Sequence, residues 1–138
     1  LTKREDLEKV KPGRKAGLLF QTTQSTETSP LFSSLLVERF EETRVFNTIC
    51  RATSERQEAV RELAKSVDAV VIVGDKKSAN TKRLAAIALE INPKSIMVED
   101  AVQLDPDFFV GTDTVGITAG ASTPDWIIEK VKSRLESF

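Results

Sequence analysis

Val67-Asp68-Ala69-Val70-Val71-Ile72-Val73-Gly74 holds an unbroken apolar run, Ala69 to Val73, rich in β-branched residues and closed by a glycine. Alternation would mark a strand with one wet face. An unbroken run of this length marks a strand covered on both faces, and such strands belong to parallel sheets. The flanks agree. Before it, Val60, Leu63, Ala64 and Val67 repeat at i, i+3, i+4 and i+7, the stripe of an amphipathic helix. After it, the loop Asp75-Lys76-Lys77-Ser78-Ala79-Asn80 leads into a helix with Leu84, Ile87, Ala88 and Ile91 inward, broken at Asn92-Pro93.

Further out the alternation continues. Ser95 to Val98 and Val115 to Ile117 read as short strands, and a polar turn over 118–125 opens a last helix carrying Ile127, Ile128, Val131 and Leu135. Toward the N-terminus, Lys3 to Val10 reads as a short charged helix stopped by Pro12-Gly13, and Lys15 to Phe20 as a buried strand. A polar segment over 21–28 follows. Ser29 as N-cap and Pro30 at the first helical position start a helix bearing Phe32, Leu35, Leu36 and Phe40. Arg44 to Phe46 is a candidate strand, and Ser54 with Gln57 has the spacing of a capping box.

Strands alternating with helices predict an α/β fold: a parallel sheet flanked by helices on both faces, in three αβα layers. Right-handed crossovers put every strand-to-helix loop at one edge of the sheet. Thr22, Ser78, Asn80 and Ser122 all fall in such loops, at the edge where open α/β sheets bind ligands.

Composition narrows the function classes. A net charge of −1 offers no general attraction to nucleic acid or anionic membranes, and no apolar run approaches the roughly 20 residues that span a bilayer. The charged start, Leu1 to Val10, lacks the core of a signal peptide. The chain has one cysteine and no histidine, which excludes an internal disulfide and fits a cytoplasmic setting. It begins at Leu1 with its only methionine at Met97, so a piece of something longer is expected. Neither G-x-x-x-x-G-K-[ST] nor G-x-G-x-x-G occurs, so nucleotide binding is not supported.

The post-strand loops share small hydroxyl and amide residues feeding helix N-termini, where free amides and the helix dipole suit phosphate. Gly74 and Gly120 allow close backbone approach. Taken singly, each such Ser, Thr or Asn is more often a cap than a ligand. Lys76, Lys77, Lys82 and Arg83 add positive charge, though such runs usually form a solvated face. Cys50 is open to two readings. A lone cysteine is usually a small buried hydrophobe. Here it lies in a polar loop beside Arg51 and near a helix start, which favours a thiolate ligand. One thiol cannot build a metal site alone. Trp126 and the phenylalanines read as packing residues.

Four stretches together resemble one family: Q-T-T-Q-S (21–25), N-T-I-C-R-A-T-S-E-R-Q (47–57), V-G-D-K-K-S-A-N-T (73–81) and G-I-T-A-G-A-S-T-P-D (116–125). In this order they are similar to the 4-hydroxy-3-methylbut-2-enyl diphosphate reductases, the LytB/IspH family. The resemblance implies three α/β lobes around a 4Fe-4S iron–sulfur cluster held by three cysteines. It implies an allylic diphosphate substrate whose hydroxyl is reductively removed, giving isopentenyl and dimethylallyl diphosphates in the methylerythritol phosphate route to isoprenoids. It also implies an electron donor such as ferredoxin or flavodoxin.

By the same resemblance, Cys50 matches the last cluster cysteine, and Thr22, in the Gln21-Thr22-Thr23 turn, the threonine facing the substrate hydroxyl. Thr53 matches a pocket-lining residue, and Ser78, Asn80 and Ser122 the diphosphate-binding set. The family loop usually reads Ser-Ser-Asn, and here Ala79 replaces the second serine. The family's other two cysteines, its diphosphate-binding histidines and its proton-delivering glutamate belong to its N-terminal half and have no counterpart here. Glu99 and Asp100 follow a strand, but no motif gives them that role. The expectation is therefore the C-terminal portion of such a reductase, with 1–46 the end of the preceding lobe and 47–138 the last lobe. The isolated chain is expected to be inactive, and apolar surface from missing lobes to be exposed. The competing readings are a non-redox phosphate- or diphosphate-binding α/β module and an interaction fragment.

Overall fold

A computed structural model of the chain describes residues 4–22 and 29–138. Lys3 and the polar segment beyond Thr22, Thr23 to Thr28, lie outside the described residues. The chain forms two compact units, Leu1–Ser54 and Glu55–Phe138. The division falls inside a helix, where the sequence reading divides the chain at 46/47.

The first unit is built on two parallel strands, β1 (Lys15–Leu19) and β2 (Glu42–Phe46), in register from Lys15 opposite Glu42 to Leu19 opposite Phe46. Helix α1 (Ser29–Val37) makes the crossover between them. Leu7, Leu18, Phe32, Leu36 and Phe40 form the core, joined by Val10, Ala16, Phe20 and Leu35. The charged segment Arg4–Lys9 is a 3-10 helix, held by Arg39, whose guanidinium donates to the Leu7 carbonyl at 2.5 Å and the Val10 carbonyl at 3.3 Å. Ser29 is not the N-cap that the sequence suggests but the first helical residue; Pro30 stays compatible because first-turn amides have no intrahelical partner. Leu19, Val45 and Phe46 are exposed.

Helix α2 (Arg51–Ser66) starts earlier than the Ser54–Gln57 pattern implies. The Cys50 carbonyl accepts from Thr53 N–H at 2.9 Å and Ser54 N–H at 3.1 Å. These bonds make Cys50 the residue at the helix mouth. Ser54 is thus inside the first turn and no capping box forms. Gln57 is buried, at 2% exposure.

In the second unit β3 (Ala69–Val73) lies between β4 (Ser95–Val98) and β5 (Val115–Ala119), with all pairings parallel. Every residue of β3 is fully buried. Val70 and Ile72 pack with Val60 and Ala64 of α2 and with Leu84, Ile87 and Ala88 of α3 (Ala79–Ile91). Val71 and Val73 face Val98, Leu104, Phe109 and Val131, the last from α4 (Asp125–Leu135). The predicted three-layer α/β arrangement is what forms, with Ala69–Val73 central.

Two polar devices fix the unit's ends. Asn92, 9% exposed, donates to Ala64 O at 3.4 Å and Val67 O at 2.9 Å and accepts from Lys94 N–H at 2.9 Å. The residue that breaks α3 therefore also ties it to the end of α2. Asp68, before β3, accepts at Oδ2 from Thr114 Oγ1 (2.8 Å), Thr114 N–H (2.8 Å) and Asp113 N–H (3.1 Å). The Thr114 hydroxyl first, then the two backbone amides, hold its carboxyl below the ordinary value of 3.8.

That clamp generates a pH dependence. With the native value lowered, the Asp68 carboxylate stabilises the fold above its unfolded value, and the gain is lost as pH falls through the native one. Asp68→Asn is expected to lower the thermal midpoint at pH 7, with the gap to the native chain closing as acid protonates Asp68. A gap independent of pH would show that the charge is not the cause.

Candidate functional site

Parallel strands deliver their following segments to one edge, and in each unit that edge gathers the residues singled out in the sequence. In the first unit β1 leads to Thr22 and β2 to Cys50. Thr48 closes the pair beyond the last strand residues: its Oγ1 accepts from Phe20 N–H at 2.8 Å and donates to the Phe20 carbonyl. Cys50 N–H then donates to the Thr22 carbonyl at 3.0 Å. Thr22 and Cys50 are both exposed, and Thr53, one turn into α2, is buried at 8% exposure. Thr22, Cys50 and Thr53 therefore form one cluster. Among the described residues, no group of three or more His, Cys, Asp and Glu side chains is placed to hold a metal ion.

In the second unit the connection β3–α3–β4 runs to one side of β3 and β5 lies on the other, so the strand order reverses at β3. The segment after β3 leads to α3 on one face, and that after β5 to α4 on the opposite face. A crevice between such diverging loops is the usual ligand site of an open parallel sheet. Ser78 comes from the first loop and Ser122 from the second, whereas Asn80, placed in the loop by the sequence, is the second residue of α3.

Ser78 is the N-cap of α3, its Oγ accepting from Thr81 N–H at 3.3 Å. This leaves the hydroxyl proton for another acceptor. Asn80 is buried at 9% exposure, yet among the described residues neither its Oδ1 nor its Nδ2 has a hydrogen-bond partner. An amide buried this way carries an uncompensated cost. Ser122 is exposed.

The loops close on each other through Gly74 and Gly120, and through Thr81 and Thr123, which have no distinguishing spacing in the sequence. Gly120 N–H donates to the Val73 carbonyl at 2.9 Å, and Thr123 Oγ1 donates to the same carbonyl at 3.0 Å. Gly74 has φ +152°, and a Cβ there would lie 2.9 Å from both Thr81 Oγ1 and Thr123 Oγ1. At Gly120 a Cβ would lie 2.5 Å from Thr81 Oγ1. The glycines thus permit close approach between the loops themselves as well as toward a ligand. Lys76 and Lys77 join the loop through their backbone amides. Lys76 N–H donates to Glu99 Oε1 at 3.0 Å and Lys77 N–H to Asp75 Oδ1 at 2.6 Å. Glu99 therefore has a structural task, as has Asp100, which accepts from Val102 N–H at 3.3 Å. Trp126 is 57% exposed, with the Lys130 ammonium 4.8 Å from its ring centre.

Comparison with known proteins gives the family and the fold. The LytB protein family matches residues 1–136. A 4-hydroxy-3-methylbut-2-enyl diphosphate reductase of Pelobacter propionicus is 47% identical over 131 residues, covering 95% of this chain and 47% of the relative. That of Aquifex aeolicus is 46% identical over 134 residues, covering 97% of this chain and 46% of the relative. The chain spans about half the length of the curated relatives it matches. A solved structure of (E)-4-hydroxy-3-methyl-but-2-enyl diphosphate reductase, the terminal enzyme of the non-mevalonate pathway, superposes with TM-score 0.66 at 44% identity, covering 100% of this chain and 49% of that one. The Plasmodium falciparum reductase shares the fold, with TM-score 0.81 at 22% identity over 99% of this chain and 43% of that one.

The close approach at Gly120 is testable without a ligand. Gly120→Ala is expected to destabilise the chain by about 1–3 kcal/mol in urea unfolding, as overpacking does. Adding Thr81→Ala removes the colliding oxygen and is expected to recover more than half of that loss. Simple additivity of the two losses would mean that the pair is not in contact.

Proposed function

The chain belongs to the LytB family, and from that premise we propose that it forms the C-terminal part of a 4-hydroxy-3-methylbut-2-enyl diphosphate reductase. The observation that carries this reading is the bond from Cys50 N–H to the Thr22 carbonyl at 3.0 Å. It sets the chain's one thiol beside the threonine that the family resemblance pairs with the substrate hydroxyl.

The residues present fit one corner of a cluster site. Cys50 is exposed and stands at the start of α2, where a thiol can reach a ligand. With a single cysteine in 138 residues, the other thiolates of a three-cysteine set must come from outside this sequence. When bound, the iron–sulfur cluster supplies electrons and an iron open to the substrate hydroxyl.

This chain's own side chains would do the rest of their share by binding and orienting. Thr22 would hold a proton at the departing hydroxyl through its Oγ1. Thr53, whose N–H is bonded to the Cys50 carbonyl, would keep the helix start in place beside it. Ser78, Asn80 and Ser122 would grip the diphosphate through neutral donors, fixing the substrate's hydroxyl end by its charged end. Ala79 supplies no hydroxyl, but it is the first residue of α3, where amides have no intrahelical partner. Its N–H is the natural substitute. Ferredoxin or flavodoxin would deliver the electrons.

In the complete protein carrying this chain, Cys50→Ser is expected to abolish the cluster's visible absorption and lower turnover by more than about a hundredfold. Retained activity would favour the non-redox diphosphate-binding module instead. Ser122→Ala, losing one hydrogen bond to a charged group, is expected to raise KM about tenfold. The isolated 138-residue chain is expected to take up no stoichiometric cluster on reconstitution with iron and sulfide, and stable uptake would contradict the reading.

A further inference from the structure

We infer that Thr81 is a positioning residue that sets the gap between the two loops assigned to the diphosphate, an inference that rests on the proposed diphosphate reading. Thr81 is 1% exposed, in the first turn of α3, with its N–H on the Ser78 cap. Its Oγ1 fills the notch between the end of β3 and the end of β5. The distances to ideal Cβ positions, 2.9 Å at Gly74 and 2.5 Å at Gly120, place this oxygen where a side chain on either glycine would stand, at the point where both loops leave the sheet.

Among the described residues, no other side chain crowds both glycines so closely. Thr123 Oγ1 lies 2.9 Å from the Gly74 position but 3.3 Å from that of Gly120, and it is already bonded to the Val73 carbonyl. The atom at the notch thus fixes how far the Ser78–Asn80 segment stands from Ser122. An oxygen is the size the notch accepts. A methyl group there is larger and cannot hydrogen-bond, so it would push the loops apart; an empty notch would let them drift. Asn80, the next residue, makes the gap consequential. Both its amide atoms are buried and unpartnered, so its donors depend wholly on where α3 begins. An anion can satisfy Asn80 and Ser122 together only at one separation.

Calorimetric titration of the complete protein with inorganic pyrophosphate, alongside thermal melts, tests this. Thr81→Ser keeps the oxygen and is expected to bind within about twofold of the native protein, whereas Thr81→Val is expected to bind about tenfold more weakly. Thr81→Ala, which leaves the notch empty, is expected to weaken binding in the same direction and serves if the valine variant does not fold. Unchanged affinity in Val or Ala variants that melt normally would overturn the inference. So would a serine variant as weak as the valine one. Ser122→Ala separates the two levels: if it weakens pyrophosphate binding while Thr81→Val and Thr81→Ala do not, the positioning role alone fails. If the native protein binds no pyrophosphate, the diphosphate reading fails and this inference with it.

Discussion

Strand β3 has no free side. Both edges are paired in parallel ladders, and both faces are covered by helices, so all its residues are fully buried. An apolar strand can be buried this way only if its backbone groups are satisfied along its whole length. That requirement places β4 and β5 on either side and packs α2, α3 and α4 over the faces. It also concentrates everything unusual at one point, the exit at Val73-Gly74. There the Val73 carbonyl takes two donors, Gly120 N–H and Thr123 Oγ1, and the next residue must be a glycine. The candidate anion site is thus the outlet that a fully enclosed strand leaves open.

The parts of the fold that follow from this enclosure were legible in the sequence. Ala69–Val73 is apolar throughout because both its faces are buried, and the stripe at Val60, Ala64 and Val67 is the helix face that buries one of them. Ser95–Val98 is read at its true length. Strand β5 runs on to Ala119, beyond the apolar Val115-Gly116-Ile117, because its ladder with β3 continues to Val73 opposite Ala119 whatever the polarity of Thr118. Helix starts were less legible. Ser54-x-x-Gln57 has a capping pattern, but the Cys50 carbonyl captures the Thr53 and Ser54 amides first. A pattern of side chains cannot reveal which carbonyl the preceding loop will present.

The candidate site divides in the same way. Loop positions are a consequence of topology, so Thr22, Ser78, Asn80 and Ser122 could be placed at carboxyl edges from the alternation of elements alone. The residues that shape those loops could not. Thr48, Thr81 and Thr123 have no distinguishing spacing; a threonine near a strand or helix end is ordinary. Their roles arise from tertiary placement, which sets Thr48 Oγ1 against the Phe20 backbone and Thr81 Oγ1 close to the Gly120 position. Gly74 and Gly120 were noted as places of close approach, but the partner found there is another loop of the same unit.

Under the proposed function the two clusters stand on different footings. The pyrophosphate-facing groups, Ser78, Asn80 and Ser122, with Thr81 and the glycines that space them, all belong to the second unit and are ordered by its own sheet. The contacts proposed for this chain at the charged end of the substrate are therefore ordered within residues 55–138, while the histidines that the family resemblance adds there lie outside this sequence. The redox end is different in kind. Cys50 is presented by a backbone bond to Thr22 and by the start of α2, but the chain contributes one thiolate and no histidine. A cluster whose ligands lie on distant segments is held only when those segments are folded together, so its affinity is partly folding free energy. Under the proposed function this chain's share of the diphosphate contacts is thus ordered locally, whereas cluster retention is a collective property that residues beyond it would complete.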